Sequence, residues 1–174
     1  MMKMRIDMMT DQEHRDRSAS ICHELRKLIT DQHQIIAVFM PLHDEPDIGP
    51  FIRECLATQK SICTPKWNRP DLTFEIIRSF DDLERDPKTG ILQPKAEIPS
   101  SDPSQITHVL VPGRAFTRLG GRLGRGGGAY DRWINAQRKR NPATVFIGIC
   151  FKCQIVDDLP MEKHDEKVDE VVTG

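Results

Sequence analysis

The chain has 174 residues and a mass of 19.9 kDa, enough for one domain with a sizeable core and too short for two. Hydrophobic residues make up 38%, charged residues 29%, and the net charge is -1, a balance that excludes a disordered chain and a globally basic nucleic-acid binder. No apolar run approaches the length needed to cross a bilayer, and the opening MMKMRIDMMTDQEHRDR is too charged for a secretory signal, so the expected compartment is the cytoplasm.

Residues from about Thr10 to Ile29 predict a helix with Ile21, Leu25 and Leu28 on one stripe and charges opposite. Ile35 to Met40 predicts a strand ended by Pro41, and Ile48 to Ala57 a short helix turning Ile52 and Leu56 inward. Ser61 to Thr64 predicts a second strand closed by Pro65, and Leu72 to Ile77 alternates as a third. Asp81 to Pro103 holds four prolines and a glycine, a turn-rich connection long enough to be a lid, one wall of a site or peripheral padding. Thr107 to Val111 is a short β-like apolar run, Ala129 to Arg140 is helical, Val145 to Cys150 is a buried strand, and a last strand lies near Val168 to Val172. Strands alternating with helices predict an α/β fold, a single three-layer domain over 1–174 with an open, mainly parallel sheet and helices on both faces. In such a sheet the ligand site lies at the carboxyl ends of the strands.

Five cysteines (Cys22, Cys55, Cys63, Cys150, Cys153) form no evenly paired framework and fit buried thiols in a reducing compartment. Cys150 and Cys153 spell C-x-x-C, but no second such pair or suitable histidine pair accompanies them, so packing is the default over a redox or zinc role.

Val111 to Trp133 reads VPGRAFTRLGGRLGRGGGAYDRW and has the composition of a loop that holds a phosphate. Gly126, Gly127 and Gly128, with Gly124 before them, allow positive φ and close approach, so that backbone N–H groups can point at an anion. Arg122 and Arg125 add forked donors suited to phosphate oxygens. A flexible basic loop or a nucleic-acid contact is the plainer alternative. The flanks favour phosphate, because strand, glycine loop and helix in that order put an anion at a helix N-terminus. The loop carries neither the P-loop lysine nor the G-x-G-x-x-G spacing. Arg114 to Arg140 holds eight basic residues against one acid, Asp131, while Asp157 to Glu170 holds seven acids against two lysines. Brought together, these segments would set carboxylates for a divalent metal beside a phosphate pocket; apart, they are ordinary solvated surfaces.

PGRAFTRLGGRLGRGGGAYDRW, with Gln154, Leu159-Pro160 and HDEKVDEVVT, closely resembles the 5-formyltetrahydrofolate cyclo-ligase family, also called methenyltetrahydrofolate synthetase. AVFMPLHDEPD (Ala37 to Asp47), the strand ending in Pro65, and Gly90-Ile91 with Pro94 fall in the family's order. The resemblance implies an ATP- and Mg²⁺-dependent ligase that converts 5-formyltetrahydrofolate into 5,10-methenyltetrahydrofolate, releasing ADP and phosphate, in folate one-carbon metabolism. The γ-phosphoryl group would go to the formamide oxygen, N10 would attack the activated carbon, and phosphate would leave. Catalysis of that kind is mostly alignment and charge neutralisation.

Carried over by position, Arg122, Leu123, Gly124, Arg125, Gly126, Gly127, Gly128, Ala129 and Tyr130 would line ATP, and Arg125 to Ala129 would also face the formyl end of the folate. Arg125, with Arg122, is the candidate for transition-state stabilisation. Asp131 and Asp165 match the family's magnesium ligands, although by composition alone Asp131 is a first-turn helix acid and Asp165 a surface carboxylate. Glu45 matches the family's folate-binding glutamate, with Met40 as the adjacent apolar contact. The implied partners are ATP and 5-formyltetrahydrofolate, without membrane or nucleic acid, for a monomer or weak dimer.

Three departures stand out. The family's N-terminal K-x-x-x-R element, which reaches ATP, lies upstream of the segment matching Arg17-Ser18, so the ATP-contacting helix reads as truncated and Lys3 and Arg5 take no role. The family's Asp after A-F is Thr117, and its paired tyrosines are Ala129 and Tyr130. These departures favour, as an alternative, a folate- or nucleotide-binding homologue that has lost turnover.

Overall fold

The short apolar runs Ile35–Ala37 (β1), Ile106–Pro112 (β6), Val145–Cys150 (β9) and Glu170–Thr173 (β11) lie side by side in parallel, which is what runs with few exposed positions do when helices cover both faces. The computed structural model describes residue 6 and residues 8–30, 34–68, 70–162 and 164–174; Lys3 and Arg5 fall outside them. Ser61–Asn68 (β2) adds a further parallel strand and Asp71–Ile77 (β3) an antiparallel one at the edge, giving the order β11-β9-β6-β1-β2-β3. The mainly parallel sheet matches the sequence expectation, and its antiparallel edge comes from a tight β2–β3 hairpin.

Asp11–Leu28 (α1) and Gly49–Ala57 (α2) pack Ile21, Cys22, Leu25, Phe51 and Ile52 against Ile36, Ile147 and Val172 on one face of the sheet. Ala129–Arg140 (α3) packs Trp133 and Ile134 against Val109, Phe146 and Phe74 on the other. The start of α1 is fixed by Thr10, whose hydroxyl accepts from the Glu13 N–H at 3.1 Å while the Glu13 carboxylate accepts from the Thr10 N–H at 2.9 Å. Leu28 is 42% exposed, against the expected stripe, because the helix ends there and Ile29 turns into the core instead.

Strand β2 runs through Pro65 rather than ending at it. The Cys63 carbonyl accepts from the Val38 N–H, so Pro65, two residues on, presents its missing N–H to the same side, beyond the last β1 pair, where no ladder bond is lost. The turn-rich connection holds a hairpin of Leu83–Arg85 (β4) and Leu92–Pro94 (β5), and Ser100 and Ser101 fasten the chain to β3 at Glu75 and Phe74. Through Ser100 and Ser101 it covers the sheet's open edge at β3.

Between β6 and α3 the chain makes an unexpected hairpin, Ala115–Thr117 (β7) and Arg122–Leu123 (β8), joined in parallel by Ile155–Val156 (β10). Among the described residues no helix is long and apolar enough to cross a membrane.

Candidate functional site

The β7–β8 hairpin sets the glycine loop in place. Thr117 closes its tip: its N–H donates to the Gly121 carbonyl and its hydroxyl accepts from the Gly121 N–H, both at 2.9 Å. Gly120, at φ +83, packs so closely on the Val168 carbonyl that an added Cβ would sit 2.1 Å from that oxygen. Thr117, read as a lost carboxylate, is thus part of the turn.

Past β8 the chain crosses Gly124 to Gly128 and enters α3. Gly126 has φ +89 and Gly128 φ +62, and an added Cβ at Gly126 or Gly127 would meet nothing within 4 Å. The loop is open on the side where a ligand would approach. Gly128 is the N-cap of α3 and offers no side chain to the first-turn N–H groups, so the helix begins with the dipole and donors that suit an anion. Arg132 ties the loop down by donating to the Gly127 carbonyl at 3.2 Å and to the Pro70 carbonyl.

The two arginines differ in setting. Arg122 is buried, and its Nη2 donates to both Asp131 oxygens at 2.8 Å. Its Nη1 reaches the Pro112 carbonyl at 3.3 Å, its Cζ lies 5.6 Å from the Tyr130 ring centre, and its buried Nε has no acceptor. Arg125 is more open, and its Nη2 donates to Asp44 at 2.6 Å and to Glu45 at 3.1 Å. Leu123 is 42% exposed at the loop's edge, while Ala129 and Tyr130 are buried under it, Tyr130 meeting Trp67 edge-on.

Glu45 and Met40 belong to the segment after β1, at the carboxyl end of the sheet, and both are buried. Glu45 accepts from the Leu42 N–H at 3.0 Å, and its main-chain carbonyl lies 3.1 Å from His14 Nε2 on α1. Burial pushes the Glu45 carboxyl up in pKa, outweighing the Leu42 amide and Arg125, whereas at Asp44 the burial effect is overcome by Arg125 and the carboxyl is held below its ordinary value. A cleft of about 420 Å³ adjoins this pair, lined by Asp11, His14, Arg15, His43 and Asp44 among others.

The Glu166 N–H, one residue past Asp165, donates to Asp131 at 3.3 Å, which brings the Asp165 segment against the start of α3. Asp131 is buried in its pairing with Arg122, and the half-buried Asp165 accepts from the Glu162 N–H at 2.7 Å. Among the described residues no three His, Cys, Asp or Glu side chains cluster as a metal cage. Carboxylate oxygens such as these are the hard donors that an ion keeping most of its waters, as Mg²⁺ does, would take. The basic and acidic segments do meet: Arg138 pairs with Asp169 at 2.9 Å and approaches Glu166 at 3.8 Å, and Asn135 donates to Glu166 at 2.6 Å.

Sequence reasoning missed Asp44 and Arg132. The signal for Asp44 was two consecutive acids after a strand end, facing a loop rich in arginine. Cys150 is buried among core side chains, with its thiol pushed up to about 12 by burial, and both C-x-x-C cysteines are free thiols.

The family model for 5-formyltetrahydrofolate cyclo-ligases matches residues 1–174. The chain is 26% identical over 177 residues to the 5-formyltetrahydrofolate cyclo-ligase of Haemophilus influenzae, covering 99% of this chain and 92% of that protein. It is 30% identical over 142 residues to the Escherichia coli K12 5-formyltetrahydrofolate cyclo-ligase, covering 79% and 76%. The NMR structure of Aquifex aeolicus 5,10-methenyltetrahydrofolate synthetase superposes with a TM-score of 0.83 at 27% identity, over 99% of this chain and 85% of that one. A Mycoplasma pneumoniae 5,10-methenyltetrahydrofolate synthetase shares the fold, with a TM-score of 0.77 at 20% identity over 98% and 93%.

Proposed function

We propose that this chain, which belongs to the 5-formyltetrahydrofolate cyclo-ligase family, converts 5-formyltetrahydrofolate into 5,10-methenyltetrahydrofolate with ATP and Mg²⁺, releasing ADP and phosphate, in the cytoplasm. The observation that carries the reading is the Arg125 contact with Glu45: it joins the open glycine loop, suited to phosphate, to the buried glutamate that would take the folate.

In this reading the formyl oxygen is a poor leaving group until a phosphoryl group is placed on it. The glycine loop and the start of α3 hold the triphosphate through backbone N–H groups. Arg122 and Arg125 offset the charge that spreads over the transferring group. The orphaned Nε–H of Arg122 fits that role, because a buried donor without an acceptor is costly and an anion supplies one. Glu45 accepts hydrogen bonds from the pterin, with Met40 as the apolar contact beside it, and orients N10 toward the formyl carbon. Asp131 and Asp165 would hold Mg²⁺, which supplies positive charge against the phosphates. Gly126 and Gly127 leave room for ligand at the junction of the two substrates.

Mixing protein, Mg²⁺, ATP and 5-formyltetrahydrofolate is expected to produce the methenyl chromophore only when ATP is present. A folded protein that binds the folate but yields no ATP-dependent product overturns the reading in favour of a binding protein without turnover.

A further inference from the structure

Arg125 sits between Gly124 and Gly126, on a stretch whose glycines restrain an arginine less than any other residues would. Its guanidinium is held by two carboxylates of one short segment, Asp44 at 2.6 Å and Glu45 at 3.1 Å, both reached by the same Nη2. The two acids are not equivalent. Glu45 is the deeper, with its other oxygen on the Leu42 N–H, while Asp44 stands at the rim and lines the adjoining cleft. The function proposed above, on which this inference rests, gives Glu45 to the folate. Once the folate engages that carboxylate, Asp44 is the anchor left to Arg125.

We propose that Asp44 is the positioning residue for Arg125, holding the guanidinium at the junction of the two substrates while Glu45 is handed over to the folate. Asp44 touches neither substrate in this role. It makes an arginine on a glycine loop behave as a preorganised one, so its removal leaves the substrates bound but the charge misplaced.

The first readout needs no turnover. An arginine-selective dicarbonyl reagent attacks the guanidine freed of its ion pair, and the rate at Arg125 is read by peptide mass. Asp44→Asn is expected to raise that rate more than Glu45→Gln, in line with the shorter contact, and Asp44→Glu to bring it back toward the wild-type value. Equal rates in wild type and D44N overturn the proposal. The second readout is kinetic: D44N is expected to lower kcat on the order of tenfold with KM for ATP changed by less than about twofold, and D44E to recover part of kcat. A fall in kcat accompanied by loss of the folded circular-dichroism spectrum, unrelieved in D44E, would mean that Asp44 only supports the fold and overturns the positioning role. A wild-type protein without ATP-dependent product fails the function proposed above, and the dicarbonyl rates still decide whether Asp44 holds Arg125.

Discussion

Arg122 Nη2 lies 2.8 Å from both carboxylate oxygens of Asp131, and both side chains are shielded from solvent in the hollow between β8 and the first turn of α3. A cation assigned to phosphate and an anion assigned to metal therefore neutralise each other in the protein by itself. In the proposed reaction, a ligand that claims either partner would have to leave the other satisfied, which would tie nucleotide and metal to one another through a single ion pair.

Breaking that pair from one side strands a buried charge. Arg122→Met is expected to lower unfolding free energy by about 3 kcal/mol, because Asp131 would keep its burial without its counter-charge. Arg122→Lys keeps the charge but loses the planar fork and should recover only part of the loss. Urea unfolding of the three proteins checks the order; a wild-type stability in R122M would show that the pair is solvated.

The glycines of the loop should separate into two classes. At Gly120 a Cβ would collide with the Val168 carbonyl at positive φ, and at Gly128 positive φ alone costs about 1–2 kcal/mol for a residue with a side chain. Gly127 has neither problem, so Gly127→Ala should leave the thermal midpoint unchanged and raise KM for ATP by placing a methyl group in the open space. Melting curves for G120A, G127A and G128A, with ATP kinetics for G127A, test this. Equal melting losses at Gly120 and Gly127 would contradict it.

Much of this was legible in the sequence, and the remainder was hidden for definable reasons. Strands β6 and β9 and helix α3 announce themselves by apolar runs and by a glycine stretch at the helix start. Strands β7, β8 and β10 are two or three residues each, too short to show a period, and the loop they shape was read as going straight from strand to helix. Pro65 signals a strand end unless the side its ring nitrogen faces is known, which depends on where β1 stops. The Arg125 partner Asp44 is 81 residues away, and only the folded sheet brings them to one end.

Neighbouring carboxylates should titrate apart. Asp44, buried in part but dominated by Arg125, is held below 3.8; its contribution is fully present above that value and lost as pH falls through the lower folded value. Glu45 is raised above 4.5, chiefly by burial, so its native state keeps a proton that the unfolded chain releases. Its contribution therefore declines as pH climbs from 4.5 through the folded value. Thermal midpoints of wild type, D44N and E45Q between about pH 3 and pH 7 should show the wild-type advantage over D44N closing at the acid end. E45Q should gain on wild type as pH rises, and parallel curves would contradict the assignment.

The central claim is that the formyl oxygen is activated by phosphorylation at the Arg122 and Arg125 loop. The most direct measurement is single turnover of 5-formyltetrahydrofolate carrying a heavy-oxygen label in the formyl group, followed by mass analysis of the released phosphate. The label is predicted to appear in phosphate, in step with methenyl product, and to vanish from it in Arg125→Met along with the product. Label found in water, with unlabelled phosphate, would contradict the claim.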